Sequence, residues 1–276
     1  MLIATEVLQR HLSEPDWIVF DCRHDLMDHA RGARLYAESH IPGAFFAPVE
    51  TALSGAKTGT NGRHPLPAPA DFAAFLNRHG VTATTRIVAY DDVGGQYAAR
   101  LWWLARWIGH PNAAVLDGGL PKWLAEGRPV TSAPPAVRPA GSVSAQADMD
   151  RVRTVAEVQA MAGRGLMVDA RSPERYRGEV EPIDRVAGRI PGAVNRFFKL
   201  NLNADLTLRP AEELRAEFVR LLAGRDPAEV VHQCGSGITA CANLLAMEHA
   251  GLAGSRLYAG SWSEWIADPA RPIERG

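Results

Sequence analysis

The chain contains one unit twice, and that duplication limits its architecture more than any other feature of the sequence. Asp21 and Arg23 return as Asp169 and Arg171, 148 positions later. The block Ile41-Pro42-Gly43-Ala44 returns as Ile190-Pro191-Gly192-Ala193, 149 positions on. Gly95, Ala98, Gly109, Gly118 and Trp123 return as Gly237, Ala240, Gly251, Gly260 and Trp265, each 142 positions later. Blocks in one order at nearly one offset divide the 276 residues into two domains of ordinary size. The expected boundaries are 1–130 and 151–276. The stretch between them, 131–150, carries Pro134, Pro135 and Pro139 among Ala, Ser and Gly and reads as an extended linker.

Within each unit, short apolar runs alternate with helical patterns, which predicts an α/β fold with a parallel sheet covered by helices on both faces. In the first unit the runs are 18–20, 87–90 and 113–116, with helices expected over 71–79 and 96–108. In the second they are 166–168, 230–231 and 256–258. Thr154 and Glu157 make a capping-box signature for a helix opening that unit, and 210–222 and 238–249 read as further helices. Trp102, Trp103 and Trp107 cluster as core or interface residues. Ligands of such sheets sit at the carboxyl ends of the strands.

Composition narrows the function. A formal net charge of −1 gives no electrostatic reason to expect nucleic acid or an anionic membrane surface. No apolar run approaches the roughly 18–20 residues of a membrane span, and the N-terminus lacks signal-peptide architecture. Three cysteines, Cys22, Cys234 and Cys241, are too few for a disulfide framework. They fit a reducing, cytoplasmic setting. Cys22 and Cys241 read as core filler.

Cys234 differs from both. It follows the short apolar run Val230-Val231, opens a loop of Gly235, Ser236 and Gly237, and precedes the helix that includes Ile238 and Thr239. Loop amides and a helix N-terminus both favour negative charge on such a sulfur. The small residues are expected to leave it uncrowded and nucleophilic.

The loop Cys-Gly-Ser-Gly-Ile-Thr-Ala resembles the active-site loop of 3-mercaptopyruvate sulfurtransferases, in the tandem-domain rhodanese (thiosulfate sulfurtransferase) family. The resemblance implies two rhodanese-like domains, with chemistry only in the second. At the offset of 142, Asp92 stands opposite Cys234, and a carboxylate cannot accept a sulfane sulfur. It also implies that Arg175, in Glu174-Arg175-Tyr176-Arg177, binds a 2-oxo-acid carboxylate through its planar fork. Arg185 is implied as a second substrate arginine, while Arg171, repeated as Arg23, is structural. Ser236, His64 and Glu50 are implied as a proton relay, with Glu50 where the family has aspartate. The resemblance further implies that the amides of Gly235, Gly237, Ile238 and Thr239 stabilise charge on the transferred sulfur.

The implied reaction moves a sulfane sulfur from 3-mercaptopyruvate through a Cys234 persulfide to a thiol, such as that of thioredoxin, or to cyanide. It calls for no metal and no organic cofactor. Thiosulfate-preferring rhodaneses place cations after the cysteine, where this loop has Gly235 and Ser236, so a thiosulfate:cyanide sulfurtransferase is the alternative. A non-catalytic sulfur carrier or scaffold on the same fold ranks below both. Phosphatase chemistry needs an arginine at the end of the loop, and Ala240 stands there.

Overall fold

Trp17–Asp21 is buried at every position, the signature of a parallel strand covered on both faces rather than one. The computed structural model describes residues 1–276 and carries this pattern through two sheets. By contacts the chain forms two units. One comprises Met1–Gly55, Pro67–Asp148 and Leu202–Leu208; the other comprises Ala56–Leu66, Met149–Asn201 and Arg209–Gly276.

In chain order the first unit has β1 (Leu2–Ile3), α1 (Thr5–His11), β2 (Trp17–Asp21), α2 (Arg31–Glu38) and β3 (Phe45–Phe46). It continues with α3 (Pro69–Arg78), β4 (Arg86–Tyr90), α4 (Ala98–Trp107), β5 (Ala113–Leu116) and α5 (Gly119–Ala125). The sheet order is β1-β5-β4-β2-β3, parallel throughout. Trp17 and Val19 pack on one face with Leu8 of α1 and Leu120 and Trp123 of α5. Phe20 faces the other way, onto Phe75 of α3 with ring centroids 5.4 Å apart, as the two-residue period of a strand requires. Trp102, Trp103 and Trp107 of α4 are all buried.

The second unit runs α6 (Val155–Met161), β6 (Leu166–Asp169), α7 (Pro173–Arg177), β7 (Val194–Asn195) and α8 (Ala211–Leu222). Then come β8 (Val230–Gln233), α9 (Thr239–His249), β9 (Arg256–Leu257) and α10 (Ser261–Trp265). Its sheet order, β7-β6-β8-β9, matches that of the first unit without the edge strand β1. A single parallel bridge from Val152 to Leu257 is all that stands in that place. The capping box at α6 forms as expected: the Glu157 amide donates to Thr154 Oγ1 and the Thr154 amide to Glu157 Oε2. Residues 132–148 form no helix or strand, but the amides of Gly141, Ser142 and Asp148 bond to Asn77, Val81 and Trp107 of the first unit. No helix is long and apolar enough to cross a membrane.

The duplication extends to individual hydrogen bonds. Arg23 Nη2 lies 2.6 Å from Asp21 Oδ2 and also donates to the Ser39 carbonyl. Arg171 Nη2 lies 2.7 Å from Asp169 Oδ2 and also donates to the Gly188 carbonyl. Both pairs are buried and tie a strand end to the following segment.

Strand register corrects one sequence alignment. Asp21 pairs with Tyr90, and Asp169 pairs with Gln233, so Tyr90 is the counterpart of Gln233. The residue opposite Cys234 is therefore Asp91, not Asp92. The carbonyls agree: Asp91 O accepts from the Leu120 amide, and Cys234 O from the Trp262 amide. The first loop carries one residue more between this position and the shared glycine, which restores the offset by Gly95 and Gly237. Asp92 instead pairs with Arg31 at 3.6 Å.

The Asp91 carboxylate accepts from the amides of Val93, Gly95, Tyr97 and Ala98 at 2.8–3.0 Å. Amides taken by that carboxylate keep the chain in a loop until Ala98, so α4 begins two residues later than its sequence pattern suggests.

Candidate active site

Cys234 is the first residue beyond β8 and stands at the carboxyl end of a central strand. The chain must turn sharply there to enter α9. Gly237 makes the turn at φ +80°, and a Cβ at that position would lie 2.3 Å from the Ala259 carbonyl oxygen. Only glycine meets both conditions without strain. The turn aims amides back at the sulfur: Gly237 N is 3.1 Å and Ser236 N 3.5 Å from Cys234 Sγ. Donors converging in this way stabilise a sulfur anion.

The loop is braced from α10. The amides of Trp262 and Ser263 donate to the carbonyls of Cys234 and Gly235, each at 3.0 Å. Ser261 Oγ accepts from the Cys234 amide at 3.1 Å and donates to the Tyr258 carbonyl. Cys241 Sγ donates to the Gly237 carbonyl from below. Cys22 and Cys241 are fully buried, consistent with their reading as core residues. Burial of Cys22 beside Asp21 pushes its thiol pKa well up.

His64 joins this site through the segment Ala56–Leu66, which belongs to the second unit. Its Nδ1 lies 2.7 Å from Ser236 Oγ, and both residues are buried. The Arg63 amide donates to Ser263 Oγ at 2.9 Å, fixing the backbone that carries the histidine. A Cβ on Gly62 would lie 2.7 Å from the Gly260 carbonyl oxygen, so the segment packs closely against the start of α10.

Above the loop lies a cluster of charges. Arg175, on α7, makes a bidentate pair with Glu181 at 2.8–3.1 Å and reaches Asp184 Oδ2 at 3.0 Å. The other oxygen of Asp184 accepts from Arg63 Nη1. Glu181 is itself fixed by the amides of Ile183 and Asp184. Glu181 and Asp184 are buried, whereas Arg175 and Arg63 remain 16% and 22% exposed. Both guanidinium groups point at the loop: a Cβ on Gly235 would lie 3.0 Å from Arg63 Nη2 and 3.3 Å from Arg175 Nη2.

Two expectations change here. The sulfur is not uncrowded, because Cys234 is only 2% exposed, enclosed by α10 and the loop it heads. The loop itself holds no cation, but Arg63 and Arg175 bring two over it from other segments. Arg185 is placed elsewhere, with Nη2 donating to the carbonyls of Ile266 and Ala267. Glu50 lies in the turn after β3 in the first unit, with Oε1 3.7 Å from His24 Nε2 and 3.9 Å from His29 Nε2. The amides of Ile238 and Thr239 stand at the entry to α9, beyond the two that contact the sulfur.

Arg63, Glu181 and Asp184 belong to this charged cluster, and the sequence did not single them out. Their signal was present but weak: Arg63 adjoins His64, and the two carboxylates flank Ile183 in the segment that follows α7.

A charged cluster beside the loop that Cys234 heads, with a serine and histidine next to it, suits binding of a small anionic molecule. Relatives agree. The chain is 48% identical to a "Probable 3-mercaptopyruvate sulfurtransferase" of Pseudomonas aeruginosa, over all of this chain and 98% of that one. It is 32% identical to "Thiosulfate/3-mercaptopyruvate sulfurtransferase 2" of Arabidopsis thaliana, over 99% and 86% of the two chains. The solved 3-mercaptopyruvate sulfurtransferase of Leishmania major superposes with a TM-score of 0.88 at 31% identity, over 99% of this chain and 75% of that one. The rhodanese-like domain model matches residues 4–126 and again 154–268, so this chain belongs to the rhodanese-like domain family and carries the domain twice.

Proposed function

We propose that the chain is a sulfurtransferase that takes sulfur from 3-mercaptopyruvate onto Cys234 and passes it to an acceptor thiol or to cyanide. The observation that carries this reading is the convergence on one sulfur of the Gly237 and Ser236 amides, with paired guanidiniums over the neighbouring Gly235 and the Ser236–His64 hydrogen bond alongside. The donor carboxylate and keto oxygen engage Arg175 and Arg63, taking over guanidinium hydrogens that Asp184 and Glu181 hold in the free protein. Movement of these side chains also opens the path to the covered sulfur.

The Cys234 thiolate attacks the donor sulfur. An S–S bond forms, the C–S bond breaks, and its electron pair leaves on carbon as pyruvate enolate. A proton then converts the enolate to pyruvate, and in this reading Ser236 with His64 delivers it. Glu50 is the candidate acidic member of that relay. Cys234 is left as a persulfide stabilised by the loop amides. An acceptor thiolate, such as that of reduced thioredoxin, or cyanide attacks the outer sulfur and restores the Cys234 thiolate. In this reading Arg63 takes the part first assigned to Arg185, whose guanidinium is committed to the end of α10.

Charge favours 3-mercaptopyruvate over thiosulfate. Two arginines and two carboxylates make a neutral cluster, which suits a monoanionic carboxylate better than a dianion. The test is mass spectrometry after exposure to 3-mercaptopyruvate: one added sulfur on the peptide containing Cys234, absent in Cys234→Ser. An unmodified Cys234, or turnover faster with thiosulfate, would overturn the reading.

A further inference from the structure

The first unit holds a group of side chains of which the proposed sulfur transfer uses Glu50 alone. His24 lies three residues beyond β2, His29 in the segment before α2, and Glu50 four residues beyond β3. β2 and β3 are hydrogen-bonded neighbours, so all three residues gather at the carboxyl end of that sheet, where ligands of parallel sheets bind. Their ligating atoms all lie within 4.8 Å of one another.

We propose that His24, His29 and Glu50 form a binding site for a divalent transition-metal ion of the zinc, cobalt or nickel class. The spacing is the first argument. Glu50 Oε1 stands 3.7 Å from His24 Nε2 and 3.9 Å from His29 Nε2. Both distances are too long for hydrogen bonds, which would close to about 2.8 Å. They are close to the separation of about 3.4 Å that two ligands keep around one tetrahedral zinc ion. The rings are already similarly inclined, with centroids 5.5 Å apart and planes 30° apart.

Rigidity is the second argument. His24 is buried and set edge-on against Tyr97 at 5.2 Å, and Glu50 is largely covered, so two ligands are held in place. His29 is 56% exposed, so its ring is free to rotate toward the other two ligands and close the site. Two imidazoles and one carboxylate select this metal class over magnesium and calcium, which prefer oxygen ligands throughout. Three protein ligands leave room for water in the remaining positions.

An ion bound here would withdraw Glu50 from the proton relay, a consequence that rests on the function proposed above; binding itself does not. The full chain carrying Cys234→Ser, which removes the reactive thiolate as a competing ligand, is titrated with Co2+ and followed by its visible d–d absorption. Saturable one-to-one binding is expected, weakened at least about tenfold by His29→Ala. His29 is exposed, so the variant keeps its fold, and an unchanged melting temperature checks this. Equal Co2+ binding with and without His29, or none at millimolar metal, overturns the site.

Turnover of chains that keep Cys234 separates the two readings. Zn2+ is expected to slow the unsubstituted chain reversibly on chelation and His29→Ala distinctly less, whereas zinc captured by Cys234 would slow both alike. Co2+ binding at His29 without that difference would confirm the site and remove Glu50 from the relay.

Discussion

Arg63→Ala is the sharpest test of the charged clamp. Arg63 supplies one of two guanidiniums within 3.3 Å of the Cβ position on Gly235, and its loss removes a charge-assisted hydrogen bond to the donor. Such a bond contributes about 1.5–3 kcal/mol. At about 1.4 kcal/mol per decade, kcat/KM for 3-mercaptopyruvate should fall roughly 10- to 150-fold.

A second effect adds to the first. Asp184 accepts from both Arg63 and Arg175, and without Arg63 the neutral cluster carries one excess negative charge. That charge, roughly 6 Å from a donor carboxylate at an effective dielectric of about 20, costs at most about 3 kcal/mol, and less because solvent reaches the cluster. Asp184→Asn in the same chain removes the excess charge while Arg175 keeps its bidentate pair with Glu181 at 2.8–3.1 Å. The double variant should therefore recover about tenfold of the lost kcat/KM, a non-additivity expected only of residues that share a partner. Pyruvate release measured by a coupled dehydrogenase, with melting temperatures to control for folding, gives all four corners of the cycle. Arg63→Ala within twofold of the parent, or a double variant no better than the single one, would refute the clamp.

The other expectations follow from the loop and from buried histidine. His64→Gln should lower kcat about 100-fold and change KM little, because proton transfer rather than binding is lost; a rise in KM alone would remove His64 from the relay. Gly237→Ala places a Cβ 2.3 Å from the Ala259 carbonyl at φ +80°, so stability should fall by about 2–4 kcal/mol, read as a lowered denaturation midpoint. An unchanged midpoint would show that the turn relaxes freely. Burial pushes the pKa of His232 from 6.5 down to about 3. The unfolded chain thus binds a proton below pH 6.5 that the folded chain refuses until about pH 3, and stability drops as pH falls through that window, by about 1.4 kcal/mol per unit. Denaturant midpoints at pH 6.5 and 5.5 should converge in His232→Gln relative to the parent; equal losses in both chains would argue that the folded chain binds this proton as readily as the unfolded one.

How far the sequence could be read depended on whether a residue's partner lay close by in the chain. The duplicated Asp-x-Arg pairs, the apolar runs and the capping box at Thr154 are local patterns, and each forms as its residues predict. The turn at Cys234 was equally legible, since Gly235, Ser236 and Gly237 specify its shape. Arg63 was not legible, because its importance comes from reaching Asp184, 121 residues away. No local pattern records that partnership. Burial of the sulfur was missed for the same reason: small neighbours in sequence leave space that α10 and distant side chains fill. The short helices α5, α7 and α10 carry too few turns for a period to show.

The two loops share one frame and differ in the residue that heads it. Each follows a central parallel strand and turns its amides inward, so each is a cage for negative charge. In the first unit the cage is filled from within by Asp91, whose two oxygens take four amides at 2.8–3.0 Å. Burial raises the pKa of that carboxyl, and the four donors oppose the rise. In the second unit the equivalent position is Cys234, and one sulfur faces the amides of Gly237 and Ser236. A carboxylate satisfies its cage permanently because it cannot exchange an atom with a ligand. A sulfur satisfies it as thiolate and again as persulfide, since both place negative charge near the same amides. In the proposed reaction, the cage that stabilises the first unit's loop becomes, with cysteine at its head, the place where sulfur is held and released.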